Sequence, residues 1–259
     1  RNKIENTGDI TLGNGSAGIY VKPGAATTGV STVTNTGNVT VGDSILNAAG
    51  NPVNPAVGIF VEKSNLTTTG DISVGNKGFG LYGSNSTINV NGGNINFSNN
   101  GSLAYLENSK MNYNVAGTLN STSEPLLFIN NSEVTLNGND INVSANGTGA
   151  YITGNSKFTG WGSMSLNVSS VGIYTENSLP LNEGKITVEG KESAGIFTKN
   201  TDADSRDIIN SGTIELIGGA GLIKSAGMYA EIGSTATGTT TLDNKNQITV
   251  DQEKSVGMF

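Results

Sequence analysis

The chain has 259 residues, 37 of them Gly, with 35% apolar and 14% charged residues and a formal net charge of −7. That apolar content at so small a net charge excludes intrinsic disorder, and its many β-branched residues favour folded β-structure. The absence of Cys and His removes disulfides, thiolate catalysis and the commonest general base and metal ligand, and 21 acidic residues against 14 thinly spread basic ones exclude a nucleic-acid surface.

Taken from the start, the chain opens on Arg1-Asn2-Lys3-Ile4-Glu5, which is not a signal peptide, and no apolar run approaches a membrane span. It begins without Met and stops partway through a repeat, so a fragment of a longer protein is expected. Three strand-length segments follow one another at once: Ile4-Glu5-Asn6, Ile10-Thr11-Leu12 and Ala17-Gly18-Ile19-Tyr20-Val21. The middle one returns as Val39-Thr40-Val41, Ile72-Ser73-Val74, Ile95-Asn96-Phe97, Ile141-Asn142-Val143, Ile186-Thr187-Val188 and Ile248-Thr249-Val250. Its alternation of apolar and small polar residues predicts a strand with one buried face.

The third segment carries an aromatic residue at Tyr20, Phe60, Tyr82, Tyr105, Phe128, Tyr151, Tyr174, Phe197, Tyr229 and Phe259, with five successive steps of 23 residues. A period of that length holding three short strands predicts an all-β, right-handed parallel β-helix of about ten coils spanning 1–259, each strand pairing with its counterpart one coil away. The residue before each ring (Ile19, Ile59, Leu81, Ala104, Leu127, Ala150, Ile173, Ile196, Met228 and Met258) is expected in the core. Strict alternation then turns the rings outward. Such a column, with Tyr82, Tyr105, Phe128, Tyr151, Tyr174 and Phe197 as its regular part, could serve as a platform for sugars or a receptor loop. A purely structural stack is the preferred reading, and a bulge at the preceding Gly would turn the rings inward instead.

Two residues before the middle strand every coil has Gly or Asn: Gly8, Gly37, Gly70, Gly93, Gly117, Asn139, Gly162, Gly184, Gly212 and Asn246. These types tolerate positive φ, so a left-handed corner is expected there. Two residues earlier Asn recurs at Asn6, Asn35, Asn91, Asn137, Asn182, Asn210 and Asn244, which predicts a ladder of stacked amides. Steps longer than 23 place insertions at two corners, giving protruding loops 22–32, 43–56, 199–207, 217–225 and 231–240. Solenoid loops of this kind often form the binding edge, which makes Asn51, Asn54, Asp202, Asp204, Arg206 and Asp207 the candidate binding residues.

No catalytic residue, metal site or cofactor is expected. Glu183, Glu189, Glu192 and Glu215 lie among Lys185, Lys191 and Lys199, the pattern of a solvated mixed-charge face. The run Thr201-Asp202-Ala203-Asp204-Ser205-Arg206-Asp207 begins like a calcium loop, but it lacks the Gly and the closing Glu and puts Arg206 at a ligand position. A plain polar loop is expected.

The segments Asn6-Thr7-Gly8-Asp9-Ile10-Thr11-Leu12-Gly13, Ser193-Ala194-Gly195-Ile196-Phe197 and Asn210-Ser211-Gly212-Thr213-Ile214-Glu215-Leu216 resemble the passenger repeats of large type V autotransporters, most of all the giant fusobacterial adhesins of the RadD type. The resemblance runs through nearly the whole chain as repeat style. It implies export to the bacterial cell surface, anchoring in the outer membrane by a C-terminal β-barrel absent from this sequence, and attachment to a host receptor protein, a host glycan or the surface of a partner bacterium. A passive stalk whose binding tip lies elsewhere is the alternative. A secreted polysaccharide-active β-helix enzyme is a more distant one.

Overall fold

The structure, a computed structural model, describes residues 2–24, 29–218 and 224–259. Among these residues are thirty-two short strands and no helix. Three strands recur in each coil and pair in parallel with their counterparts. In the middle strands Ile10 lies opposite Val39, Val39 opposite Ile72, and Ile72 opposite Ile95. Farther along, Ile141, Met164, Ile186, Ile214 and Ile248 follow one another in the same way. Like thus stacks on like, and the inward residues Val39, Ile72, Ile141, Ile186 and Ile214 are completely buried. The protein is therefore a parallel β-helix.

The described residues form two compact units, Arg1–Val115 with Ser132–Val134, and Ala116–Asn131 with Thr135–Phe259. In the first unit the third strands are Ala17–Val21, Val57–Glu62, Phe79–Ser84 and Ser102–Glu107. In the second they are Pro125–Asn130, Thr148–Thr153, Val171–Glu176, Ala194–Asn200, Ala226–Ile232 and Val256–Met258. Of the ten residues expected in the core before the rings, nine are buried and Met258, in the last coil, is 44% exposed. The glycines one place earlier also face the core. A Cβ on Gly172 would lie 2.9 Å from the Met164 sulfur, and Leu103 and Leu126 fill the equivalent space in two coils.

The left-handed corner is not where the Gly/Asn column suggested. In that column only Gly93 and Gly117 have positive φ. Most of the other glycines are there for a steric reason: a Cβ on Gly37, Gly70 or Gly212 would collide with the carbonyl oxygen of the equivalent Gly one coil away, whereas Gly8, in the first coil, has open space at that point. Where Asn replaces Gly, its amide bonds across the same step, Asn139 to the Gly117 carbonyl at 2.8 Å and Asn246 to the Ser211 carbonyl at 3.1 Å. At the same corner Gly138 and Gly160 also have positive φ, but most positive-φ residues bracket the third strand. These lie before that strand at Gly15, Lys77, Asn100, Asn146, Ser169, Glu192, Lys224 and Lys254, and after it at Lys63, Asn85, Asn108, Asn131, Gly154 and Asn177.

The amide ladder is present in two stretches. Asn6 donates to Asn35 Oδ1 at 2.8 Å, and Asn35 continues to Thr68 Oγ1 and closes its own corner through the Gly37 carbonyl. In the second unit Asn182 donates to Asn210 and Asn210 to Asn244, each at 2.6 Å. Asn91 and Asn137 do not belong to it. The inward place in their coils is taken by the buried Val90 and Leu136, which leaves both asparagines one residue on and exposed. Asn91 accepts from Asn114 on that outer side.

Candidate functional site

The rings of the third strand point outward and stack in register. In the first unit Tyr20, Phe60, Tyr82 and Tyr105 have centroid spacings of 4.7, 5.0 and 4.9 Å. In the second unit Phe128 and Tyr151 meet at a tilted 5.9 Å, after which Tyr151, Tyr174, Phe197, Tyr229 and Phe259 stack at 4.9–5.3 Å. Such spacing covers each ring face with the next ring. A sugar stacks on an open ring face, so the interior of the column offers only ring edges and phenol hydroxyls. This geometry favours the structural reading of the column. The Tyr151 hydroxyl donates to Glu176 Oε2 at 2.8 Å. Burial foremost, and after it the neighbouring Glu176, holds the phenols of Tyr151 and Tyr174 protonated beyond the usual tyrosine range.

A recessed site lies at the corner after these strands. A cleft of about 510 Å³ is lined by Gly154, Asn155, Asn177, Ser178, Leu179, Asp204, Ser205 and Arg206. Its origin is a break in the first face. The sheet that includes Lys157–Thr159 ends there, and Leu181–Asn182, Arg206–Asn210 and Thr240–Asn244 form a separate one. Leu179 and Pro180 shorten that coil's first strand to two residues, and Pro180 has no N–H to donate across the step. Leu179 is left 55% exposed on the cleft wall.

The opposite wall is the inserted loop, whose described core is 201–205, since Asn200 and Arg206 already belong to strands. Arg206 organises it. Its guanidinium grips both Asp202 carboxylate oxygens at 2.5 and 2.6 Å and reaches Asn200 Oδ1 and the Asp204 carbonyl. With its side chain only 9% exposed, it is a lock, not a free cation. The hydrogen bonds from Arg206 hold the Asp202 carboxyl below the ordinary carboxylate range. The positive charge of Arg206 on both Asp202 oxygens also opposes a cation at that carboxylate. Asp204, by contrast, keeps its carboxylate 82% exposed at the rim. The neighbouring insertion lies on this loop: Gly233 donates to the Asn200 carbonyl at 2.7 Å, Thr237 to that of Asp202, and Thr239 to Ser205 Oγ.

Of the residues singled out from the sequence, Asp202, Asp204 and Arg206 are brought together. Asp207 stays apart as an exposed strand residue opposite Thr241. Asn51 and Asn54 belong to the first unit, where 43–56 proves to be a small antiparallel hairpin, Ile45–Leu46 against Pro52–Asn54. Its tip is closed by Asn47, whose side chain accepts from the N–H groups of Ala49 and Asn51, and Lys77 donates to the Gly50 carbonyl. Parts of two expected loops, at 25–28 and 219–223, lie outside the described residues.

Two serine ladders were missed. Ser86, Ser109 and Ser132 accept the backbone N–H of Ser64, Ser86 and Ser109 in turn. Ser193, Ser225 and Ser255 do the same for Ser170, Ser193 and Ser225. The steps of 23 between Ser86, Ser109 and Ser132 carried the signal. Asn155, Asn177, Ser178 and Leu179 of the cleft had none, because nothing in one coil announces what the next coil's insertion will face. Among the described residues no group of three or more acidic side chains is placed to hold a metal ion. Comparison with protein families, curated proteins and solved structures found no match.

Proposed function

We propose that the protein is a segment of a surface-displayed bacterial adhesin, in which the β-helix carries and spaces a recognition site formed by the corner insertions. The observation that carries this reading is the cleft of about 510 Å³ between a shortened coil and a pair of stacked, internally hydrogen-bonded loops. Two features support it. A coil serving only as spacer gains nothing from a loop fixed by a nearly buried Arg206, and ordered loops reduce the entropy lost on binding. The exposed Leu179 on the cleft that the Asp204 carboxylate and the Asn155 amide also line combines an apolar contact with hydrogen-bonding groups, as binding pockets do.

The ligand in this reading is a host receptor, a host glycan or a partner cell surface, and the outer membrane is the expected location. The test is attachment by the purified chain to glycan arrays, host cells and bacterial cells, comparing the native protein with deletion of 201–205, deletion of 45–54 and Arg206→Ala. Binding lost with 201–205, and weakened by Arg206→Ala at unchanged circular dichroism, supports the proposal. Attachment unchanged in all three variants sinks it by moving the site elsewhere on the chain, and no attachment by the native protein leaves a passive stalk.

A further inference from the structure

An asparagine followed by glycine is the step at which a peptide chain most readily reacts with itself, because glycine has no side chain to hinder its nitrogen or restrict its backbone. The glycine nitrogen adds to the asparagine Cγ, ammonia leaves, and water opens the resulting succinimide to aspartate or isoaspartate. The chain has five such steps: Asn14-Gly15, Asn91-Gly92, Asn100-Gly101, Asn137-Gly138 and Asn146-Gly147. As dipeptides they are equivalent.

The fold separates them. In four, the attacking nitrogen is already committed, because its N–H donates to a carbonyl: Gly15 to Asp43 at 2.8 Å, Gly101 to Ser98 at 3.0 Å, Gly138 to Gly160 at 2.6 Å and Gly147 to Ser144 at 2.9 Å. Among the described residues no protein acceptor takes the N–H of Gly92. Asn91 is exposed at the corner between the first and middle strands, one place past the strand Thr87–Val90. Its own N–H is tied to the Thr68 carbonyl at 2.9 Å, and its Oδ1 accepts from Asn114 Nδ2 at 2.8 Å. That donor draws charge from Cγ and stands where negative charge collects on Oδ1 as the nitrogen adds.

We propose that Asn91-Gly92 is a site of spontaneous deamidation, singled out by the fold from its four sequence equivalents. The overall change is hydrolytic: one water enters, one ammonia leaves, and position 91 gains a negative charge. An aspartate there still accepts from Asn114 and leaves the corner intact. An isoaspartate adds a carbon to the main chain beside Gly93, which is packed so closely on the Gly70 carbonyl that a Cβ would come within 2.3 Å of its oxygen. That product loosens the contact between coils. Neither the inserted loops nor the cleft takes part, so the change does not depend on the adhesin reading.

Incubating the native chain at mildly alkaline pH in heavy-oxygen water, followed by peptide mass mapping, reads each step separately. Asn91 is expected to deamidate at least about fivefold faster than any of the other four, the factor that one net hydrogen bond on each competing nitrogen amounts to. In urea the five rates converge, since unfolding releases every N–H. Asn114→Ala slows Asn91 about threefold by removing the donor on Oδ1, at unchanged circular dichroism. Gly92→Ala also slows it, and Thr69 lies no nearer than 3.4 Å to the new Cβ, so the fold accepts the change. Three results would overturn the proposal: five equal rates in the folded chain, another of the five leading, or faster reaction at Asn91 once Asn114 is replaced.

Discussion

The corner between the first and middle strands and the corner between the third strand and the next first strand are built on different principles. At the former, a glycine sits directly beneath the carbonyl of its counterpart one coil away, as Gly70 does with Gly37. A buried Asn at the strand end often adds a bond to the turn carbonyl, as Asn35 does with Gly37. At the latter, a single residue in the left-handed region reverses the chain, as at Lys63, Asn85, Asn108, Asn131 and Asn177. A corner closed by contacts between coils cannot change in one coil without disturbing its neighbours, whereas a corner closed by one residue's own φ can be opened locally. The large insertions accordingly avoid the first kind, and 201–205 and 233–239 both lie at the second.

The largest break in this contrast is expected at Gly70. Gly70→Ala thrusts a methyl group into the Gly37 carbonyl and should cost about 3 kcal/mol in urea denaturation. Gly8→Ala, with nothing within 4 Å of the new Cβ, should be nearly silent. Equal losses would mean that glycine serves conformation there, not close approach. Next comes the buried amide. Asn35→Ala strands partners of a fully buried ladder residue and should cost about 2 kcal/mol, while Asn114→Ala on the outer side should change stability by less than about 0.5 kcal/mol.

At the other corner the sign reverses. Lys63 holds φ at 46°, so Lys63→Gly relieves a left-handed L-residue and should raise stability by about 0.5–1 kcal/mol. The smallest effect concerns the strand that these corners flank. The folded-state phenols of Tyr82, Tyr151 and Tyr174 lie above the unfolded value of about 10, so their contribution is fully present below that pH and is lost as pH rises through the raised values. Phenolate absorbance should lag behind free tyrosine in the folded protein, and Glu176→Gln should reduce the lag.

Much of the fold was legible because a solenoid writes its contacts into its period. Tyr151 touches Tyr174 and Phe197 touches Tyr229 as equivalent positions of successive coils, so the aromatic column alone gave the strand and its register, while its direction, outward by strict alternation or inward by a bulge, was left to the structure. The left-handed residues were harder to read. Half of the non-glycine ones are Asn, but Lys63, Lys77, Ser169, Glu192, Lys224 and Lys254 have no preference that marks them. The cleft was half legible, since the insertion around Arg206 stood out while its opposite wall did not.

What the sequence determined by itself was whatever repeats: three strands per coil, like side chains on like, and the corners that lengthen. Only the tertiary structure decided what depends on the exact distance between coils. That distance, about 4.8 Å, makes Gly70 a steric necessity and hands the amide ladder from Asn35 to Thr68. It also lets the hydroxyl of Ser86 accept the N–H of Ser64. At the cleft, the tertiary structure alone brings Leu179 and Asn177 to face a loop whose residues, Asp204 to Arg206, come from the following coil.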